Sequence, residues 1–324
     1  MQFPAELLTE CWFLCGPTAC GKTALSLALA ERLDAEIIAL DSMTLYRGMD
    51  IGTAKASMAE RLQVRHHLVD VLDPHEEFSL ADYLSAAEVA CREIVDRGRR
   101  PLFVGGTGLY LRGVLRGVFE GPAADWNMRR ELDEFLQERG QEALFGELRQ
   151  VDPLTASRLH PNDIRRVIRA IEVFRLTGRP LSSQQEQGPR PLEQRSTHVY
   201  WLEPPRDWLY DRINLRVQQM VDQGLLAEVK GLMQRSKPLS HTARQALGYK
   251  EVLDWLSHEP TDENLKLPME VIALIQTRTR QFAKRQHTWF RNLDECASIP
   301  ITGQESVNQL IERVVSAETE TRGN

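Results

Sequence analysis

The sequence predicts an α/β protein: a parallel sheet flanked by helices, carrying a small all-helical insertion domain. Three observations predict it. The stretch "GPTACGKT", Gly16 to Thr23, follows an apolar run and opens a helical pattern. Strand-like and helix-like segments then alternate through the first third of the chain, which implies a parallel sheet with helices on both faces. A helical stretch rich in arginine and glutamate, without strand patterns, interrupts that alternation.

The first strand is read from Cys11-Trp12-Phe13-Leu14-Cys15. The helix after the loop is read from Ala24, Leu25, Leu27, Ala28, Leu29 and Leu33, which recur at near-helical spacing. Strand, glycine loop and helix together are the context that separates a phosphate-binding loop from a chance match, and they make the fold P-loop NTPase-like. Gly16 and Gly21 let the backbone turn its N–H groups toward an anion, and the helix N-terminus adds its positive end. The whole segment, Gly16, Pro17, Thr18, Ala19, Cys20, Gly21, Lys22 and Thr23, is the candidate phosphate or diphosphate site. Lys22 supplies a charge for phosphate oxygens, and Thr23 a hydroxyl for Mg²⁺. The motif does not name the phosphate's owner.

The next strands are "AEIIALD", ending at Asp41, and "PLFVGG", Pro101 to Gly106, with the helical "LADYLSAAEVACREIVDRG" between them. Ligands in such sheets bind beyond the carboxyl ends of the strands. Lys22, Asp41 and Thr107 are therefore expected to converge on one crevice. "EGPAAD", Glu120 to Asp125, reads as a linker, and the pattern is helical from there to about Arg195. "STHVYWLEP" returns the chain to the sheet, a long helical stretch is expected from Pro205 to about Arg235, and further helices to about Arg291. The tail "SAETETRGN" is polar and expected to be disordered. The expected organisation is a first part of the core over 1–121, a helical insertion over 122–196, and the rest of the core with C-terminal helices over 197–324.

Composition narrows the function classes. The 324 residues are 42% hydrophobic and 27% charged, as in ordinary globular proteins. No apolar run approaches a membrane span, and the N-terminus "MQFPAELLTE" lacks a secretory pattern, so a cytoplasmic location is expected. Five cysteines without a CxxC pair argue against a zinc site or a disulfide framework. The net charge of −6 opposes nucleic-acid binding taken alone, but the cations cluster. Arg165, Arg166, Arg169, Arg175 and Arg179 form one group. Arg278, Arg280, Lys284, Arg285 and Arg291 form another, interleaved with Phe282, His287, Trp289 and Phe290. One cluster reads as a solvated helix face; two, one rich in aromatics, make RNA a competing partner.

Asp41 is the only carboxylate at an expected strand end near the loop, because "PLFVGGTG" ends in glycines. It can cap the following turn, hold a metal as in a small-molecule kinase, or act as a general base. Its spacing does not choose among these. The paired glycines of "GGTGLY" imply either a tight strand-to-helix turn or close backbone approach to a neighbour.

Seven motifs occur in order: "GPTACGKT", "DSMTLYRGMDIGTAK", "HHLVDVLDP", "FVGGTGLYL", "HPNDIRRVIRAIEVF", "QALGYKEV" and "TRQFAKRQHTWFR". Together, from about Cys11 to Arg291, they closely resemble the bacterial tRNA dimethylallyltransferases, also called tRNA isopentenyltransferases. The resemblance implies transfer of a dimethylallyl group from dimethylallyl diphosphate to N6 of the adenosine 3′-adjacent to the anticodon. It implies that the glycine loop grips an isoprenoid diphosphate, with Mg²⁺ as the cofactor, and not ATP. By motif, Asp41 matches the base toward N6, Thr107 a threonine at the reaction centre, and Arg216 an arginine on the diphosphate. Asp41, Ser42, Met43 and Thr44 match a stretch that touches tRNA, as do Arg165, Arg166, Val167, Ile168 and Arg169. Gln245, Gly248 and Lys250 match a third stretch, and the segment from Thr279 to Gln286, with Arg280, Lys284 and Arg285, a fourth. Thr107 and Arg129 match further contacts. Thr44 stands where the family pattern has glutamine, Arg165-Arg166 where it has Gln-Arg, and Cys20 where it has serine. The implied partners are the tRNA anticodon loop and dimethylallyl diphosphate, with no membrane, and a monomer is expected. A small-molecule kinase, a free-nucleotide prenylating enzyme and a non-catalytic RNA-binding protein are the competing readings.

Overall fold

A computed structural model describes residues 1–184, 188–258 and 266–321. Two compact units divide the chain: a larger one of Gln2–Leu115 and Pro189–Asn324, and a smaller one of Met1 and Arg116–Gly188. The larger unit is built on six strands: β1 (Trp12–Cys15), β2 (Ala35–Leu40), β3 (His66–His67), β4 (Arg100–Gly105), β5 (His198–Glu203) and β6 (Ala297–Pro300). They form a single sheet in the order β3-β2-β4-β1-β5-β6, and every pairing is parallel. All residues of β1 and β2 are buried, as parallel strands covered on both faces require. Cys15 and Leu40 are both in register with Gly105, so β1, β2 and β4 end level. The segments that leave these ends begin with Gly16, Asp41 and Gly106.

The helices are, in chain order, α1 (Ala5–Leu8), α2 (Lys22–Leu33), α3 (Met58–Gln63), α4 (Leu80–Asp96), α5 (Gly108–Arg116), α6 (Trp126–Val151), α7 (Pro153–Arg158), α8 (Ile164–Thr177), α9 (Arg206–Asp222), α10 (Leu225–Met233), α11 (His241–Arg244), α12 (Tyr249–Leu256), α13 (Met269–Arg291) and α14 (Val307–Thr321). Local chemistry sets their limits. Ser79 and Asp82 form a capping box that starts α4, whose buried face is Tyr83, Leu84, Ala87, Ala90, Cys91 and Ile94. The helical stretch expected from Pro205 consists of two helices, because Gly224 adopts a φ of 101° between α9 and α10. The expected disordered tail is also corrected in part: α14 runs through Ser316 to Thr321, and only residues 322–324 of that tail lie outside the described residues. Two strands escaped the sequence reading. β3 is two residues long, and β6 exposes three of its four residues.

The larger unit has two apolar clusters. One joins Leu14, Leu25, Leu29, Ile37, Leu102, Leu202, Ile299 and Val314 across the sheet. The other joins Tyr46, Val217, Val229, Tyr249, Val252, Ile272 and Ile275 beneath α9, α10, α12 and α13. Each such aliphatic side chain contributes roughly 1.5–3 kcal/mol by leaving water. Among the described residues no helix is long and apolar enough to cross a membrane. The cysteines are free; Cys11 and Cys15 are fully buried, as small hydrophobes.

The smaller unit is all-helical, as expected, with a core of Leu132, Leu144, Leu148, Val167, Ile171 and Val173. It ends at Gly188, earlier than the expected 196. The following residues hydrogen-bond within the larger unit: Arg190 Nη1 donates to Phe3 O and Ser196 Oγ to Cys11 O, each at 2.7 Å. Inside the small unit, Glu172 is wholly buried. Its carboxylate accepts from Arg129 Nε and Nη2 at 2.8 and 2.9 Å, Arg169 Nη1 at 2.6 Å and the Asp125 amide at 2.8 Å. Burial alone would raise the Glu172 carboxyl; these donors outweigh it and hold the group below the ordinary carboxylate value. We expect Glu172→Gln to cost about 2 kcal/mol in denaturant unfolding, less than a fully buried pair because both arginines are partly exposed. A depressed carboxyl stabilises above its unfolded value and loses that contribution as pH falls through the folded one. The stability gap between wild type and variant should therefore close below about pH 4. A gap that is independent of pH would show that the charge of Glu172 is not what holds this core.

Candidate active site

The glycine loop leaves β1 and enters α2 in the conformation the motif demands. Gly21 has a φ of 95°, which favours glycine, and Ala19 is also left-handed, at 65°. No side chain caps α2, so the N–H groups of its first turn have no partner within the helix. The Thr18 amide donates to Gln286 Oε1 at 2.9 Å and the Cys20 amide to Pro17 O at 3.4 Å. The remaining loop amides, of Ala19, Gly21, Lys22 and Thr23, have no hydrogen-bond partner among the described residues. With the α2 dipole they make an anion cradle. Pro17 has no N–H, so it shapes the loop and donates nothing. Lys22 Nζ lies across its own loop, donating to Gly16 O at 2.9 Å and Pro17 O at 2.7 Å.

The loop forms one wall of a cavity of about 830 Å³ in the larger unit, within the usual size range of ligand sites. Asp41, Thr107 and Arg216 line it too, so the expected convergence at the strand ends is observed. Asp41 Oδ1 accepts from the Met43 amide at 2.8 Å and the Thr44 amide at 3.4 Å. One carboxylate oxygen thus caps the turn, and Oδ2 has no protein partner among the described residues. Thr107 Oγ1 accepts from the Ser42 amide at 3.3 Å, tying the segment after β4 to the segment after β2. The glycines around Thr107 serve close approach to protein. A Cβ on Gly106 would fall 2.2 Å from Gln286 Nε2, and one on Gly108 would fall 2.4 Å from Trp289 Cγ.

Arg216 is partly buried on the cavity wall. It makes no hydrogen bond or ion pair with the described residues. Burial pushes its guanidinium below the ordinary value, Asp41 and Cys20 pull it back up, and Arg212 adds to the fall. Such a cation is stabilised by an anion entering the cavity. Arg212, missed in the sequence, lies one turn earlier on α9, where it lines the cavity, donates to Ala19 O at 2.9 Å and stacks over Trp208 at 4.8 Å. The i, i+4 spacing of Arg212 and Arg216 was the signal available. Ile213, Val217, Met220, Ile275 and Phe282 give the same cavity an apolar wall.

The residues matched to tRNA contact fare unequally. Ser42, Met43, Thr44, Gln245, Gly248 and Arg285 line the cavity. The Thr44 hydroxyl is buried without a partner. Lys250 Nζ donates to Gln245 Oε1 at 2.9 Å. Lys284 and Arg285 are exposed, while Arg280 is held by Asn214 Oδ1 at 2.6 Å and Thr277 Oγ1 at 2.9 Å. In the small unit Arg165 and Arg166 are exposed, with Arg166 3.3 Å from Asp163. Val167 and Ile168 are buried in the core, so their side chains cannot meet RNA. Arg129 and Arg169 are engaged by Glu172. Gln286 is 4% exposed and faces the loop, not solvent.

The level strand ends and the loop define a P-loop NTPase-like α/β protein, with a cavity suited to a phosphorylated, partly apolar molecule. The chain belongs to the IPP transferase family, whose model matches residues 44–293, and the isopentenyl transferase model matches residues 9–71. It is 48% identical to tRNA dimethylallyltransferase 1 of Trichlorobacter lovleyi, over 86% of this chain and 90% of that one. It is 45% identical to the tRNA dimethylallyltransferase of Geobacter metallireducens, over 89% and 92%. Among solved structures it resembles the full-length tRNA isopentenylpyrophosphate transferase of Bacillus halodurans, at 40% identity and a TM-score of 0.67, covering 97% of this chain and 98% of that one. It also resembles a eukaryotic dimethylallyltransferase described as acting on tRNA, at 27% identity and a TM-score of 0.71, covering 95% and 77%.

Arg216→Met separates anion binding from stability. We expect pyrophosphate affinity to fall at least tenfold, about 1.4 kcal/mol, while the melting temperature holds or rises as a desolvated charge is removed. Calorimetric titration and thermal unfolding read the two effects. Unchanged affinity with a lowered melting temperature would make Arg216 a structural cation.

Proposed function

We propose that the protein transfers a dimethylallyl group from dimethylallyl diphosphate to N6 of the adenosine 3′-adjacent to the anticodon of tRNA, releasing diphosphate. One observation carries this reading. A single cavity combines an anion cradle with Arg216, an apolar wall, and a strand-end carboxylate with one oxygen uncommitted. The names of the similar proteins, tRNA dimethylallyltransferases of known sequence, support it and do not favour a kinase. No phosphoryl group moves in this reaction, so the loop's task is to neutralise charge growing on a leaving group.

The chemistry follows from that division. The adenine N6 lone pair attacks C1 of the dimethylallyl group. The C1–O bond breaks and its electron pair leaves with the diphosphate, toward the loop amides, Lys22 and Arg216. The N6 proton passes to Asp41 Oδ2. An exocyclic amine conjugated to a ring is a poor nucleophile, so a positioned carboxylate should accelerate the step. Thr107, bonded to the Ser42 amide, holds the Asp41 segment against β4. Ile213, Val217 and Met220 suit the prenyl chain. Mg²⁺ would offset diphosphate charge through the hydroxyl of Thr23, an exposed residue in the first turn of α2 that lines the cavity. Among the described residues no cluster of acids, histidines or cysteines could hold a metal by itself, so substrate oxygens would complete its shell. Arg285, Lys284, Arg165 and Arg166 are exposed cations available to RNA phosphates. Extruding the adenine costs a few kcal/mol, which such contacts offset.

Incubating the protein with Mg²⁺, dimethylallyl diphosphate and an unmodified tRNA should yield prenylated adenosine, read by mass spectrometry after digestion. Product on free AMP alone would move the protein to a nucleotide-prenylating role. Asp41→Asn should lower kcat by about 10²-fold or more while tRNA affinity stays within about twofold; a normal rate removes Asp41 as base. Arg285→Ala should weaken tRNA binding and reduce the slope of its salt dependence by about 1. An unchanged slope would leave Arg285 a solvated surface group.

A further inference from the structure

Gln286 lies on the same helix as the cations Lys284 and Arg285, yet it is turned inward and 4% exposed. Its amide makes two bonds to two separate loops. Oε1 accepts from the Thr18 amide at 2.9 Å, and Nε2 donates to Gly106 O at 2.8 Å. The room for this is specific. A Cβ on Gly106 would fall 2.2 Å from Nε2 and 3.1 Å from Gly16 O. The glycine loop, the end of β4 and α13 therefore meet at a point where Gly106 has no side chain. Two residues after Gly106, Gly108 makes the same allowance for Trp289, one turn on from Gln286.

We infer that Gln286 is a positioning residue for the diphosphate: it fixes the glycine loop in its anion-receiving conformation by binding Thr18 N and Gly106 O at once. The inference rests on the proposed diphosphate site. A side-chain amide supplies a donor and an acceptor in one planar group whatever the pH. With Thr18 N held back by Gln286, the amides of Ala19, Gly21, Lys22 and Thr23 are left to the anion. Without the clamp, a partly buried Thr18 N–H and a buried Gly106 carbonyl each lose their partner, which favours a shift of the loop to satisfy them. That movement disperses the cradle before any ligand arrives, and binding must then include the ordering of the loop. Because the clamp acts through Thr18 and not through the RNA-facing side of α13, its loss should fall on the diphosphate and spare RNA.

The test compares wild type, Gln286→Leu and Gln286→Asn. Leucine removes both bonds; asparagine, one methylene shorter, keeps at most one. Pyrophosphate binding with Mg²⁺ is measured by calorimetry, tRNA binding by fluorescence anisotropy, and folding by thermal unfolding. The expected result is a tenfold or greater loss of pyrophosphate affinity for leucine, a smaller loss for asparagine, and tRNA affinity within threefold of wild type in both. The KM for dimethylallyl diphosphate should rise in the same order. Pyrophosphate affinity within twofold of wild type in a folded leucine variant overturns the inference, and so does a loss confined to tRNA. If the leucine variant does not fold, the asparagine variant decides by the same twofold criterion. A wild-type protein that binds no pyrophosphate overturns both the proposed function and this inference; normal binding by wild type and variants alike overturns the inference alone.

Discussion

At the end of β4 there is no space for a β-carbon. One on Gly105 would sit 2.1 Å from Leu40 O, and one on Gly106 would strike Gln286. These contacts let β2 and β4 finish level, with Gly106 N and Thr107 N both donating to Leu40 O at 3.2 Å. Thr107 is thereby fixed beside the segment that carries Asp41, and its hydroxyl receives the Ser42 amide. The carboxylate, the threonine and the glycine loop share a cavity because three strands stop at the same height. A methyl group at Gly105 would push the backbone of β2 away from β4, and one at Gly106 would displace the Gln286 amide.

The distribution of charge answers a different requirement. Lys22 is satisfied by the loop carbonyls, and Arg212 by Ala19 O and the Trp208 ring. Arg216 has no such protein acceptor among the described residues, and burial already works against its charge. A protein selected for stability alone would not leave a guanidinium in that state. In the proposed reaction the unspent attraction would act on an anionic leaving group, lowering a barrier instead of deepening the native well. Glu172 in the small unit shows the opposite arrangement: a buried charge fully matched by two arginines and an amide, and so spent on structure.

Much of this was legible in the chain. "AEIIALD", "PLFVGG" and "STHVYWLEP" each centre on a short apolar run, at residues 37–40, 102–104 and 199–202, and each is a largely buried strand. The loop motif and the strand ends bring Lys22, Asp41 and Thr107 together by topology alone. β3 and β6 were not legible, since two residues carry no period and an exposed edge strand need not be apolar. Gln286 was invisible as a clamp because its partners lie 268 and 180 positions away, and nothing local to α13 records them. Val167 and Ile168 illustrate another limit. They were grouped with Arg165, Arg166 and Arg169 by motif, whereas helical phase points them into the core and two of those arginines out to solvent.

The sheet order also bears on how the protein is made. β1 is central, flanked by β4 and by β5, which lies some 186 positions further along the chain in register with it. During synthesis at roughly 5–20 residues per second, the β5 side of β1 stays open for many seconds. The glycine loop waits longer still, since its Thr18 amide is met by Gln286 only after a further 268 residues have been made. Pairings this distant close slowly and leave strand edges unprotected meanwhile. The all-helical segment 116–188 emerges inside that interval, with contacts that are local to it. The nascent chain thus passes through a stage in which its helical part can be complete while its glycine loop still lies beside an unfinished strand edge, and that stage is where a chaperone or a protease would find it.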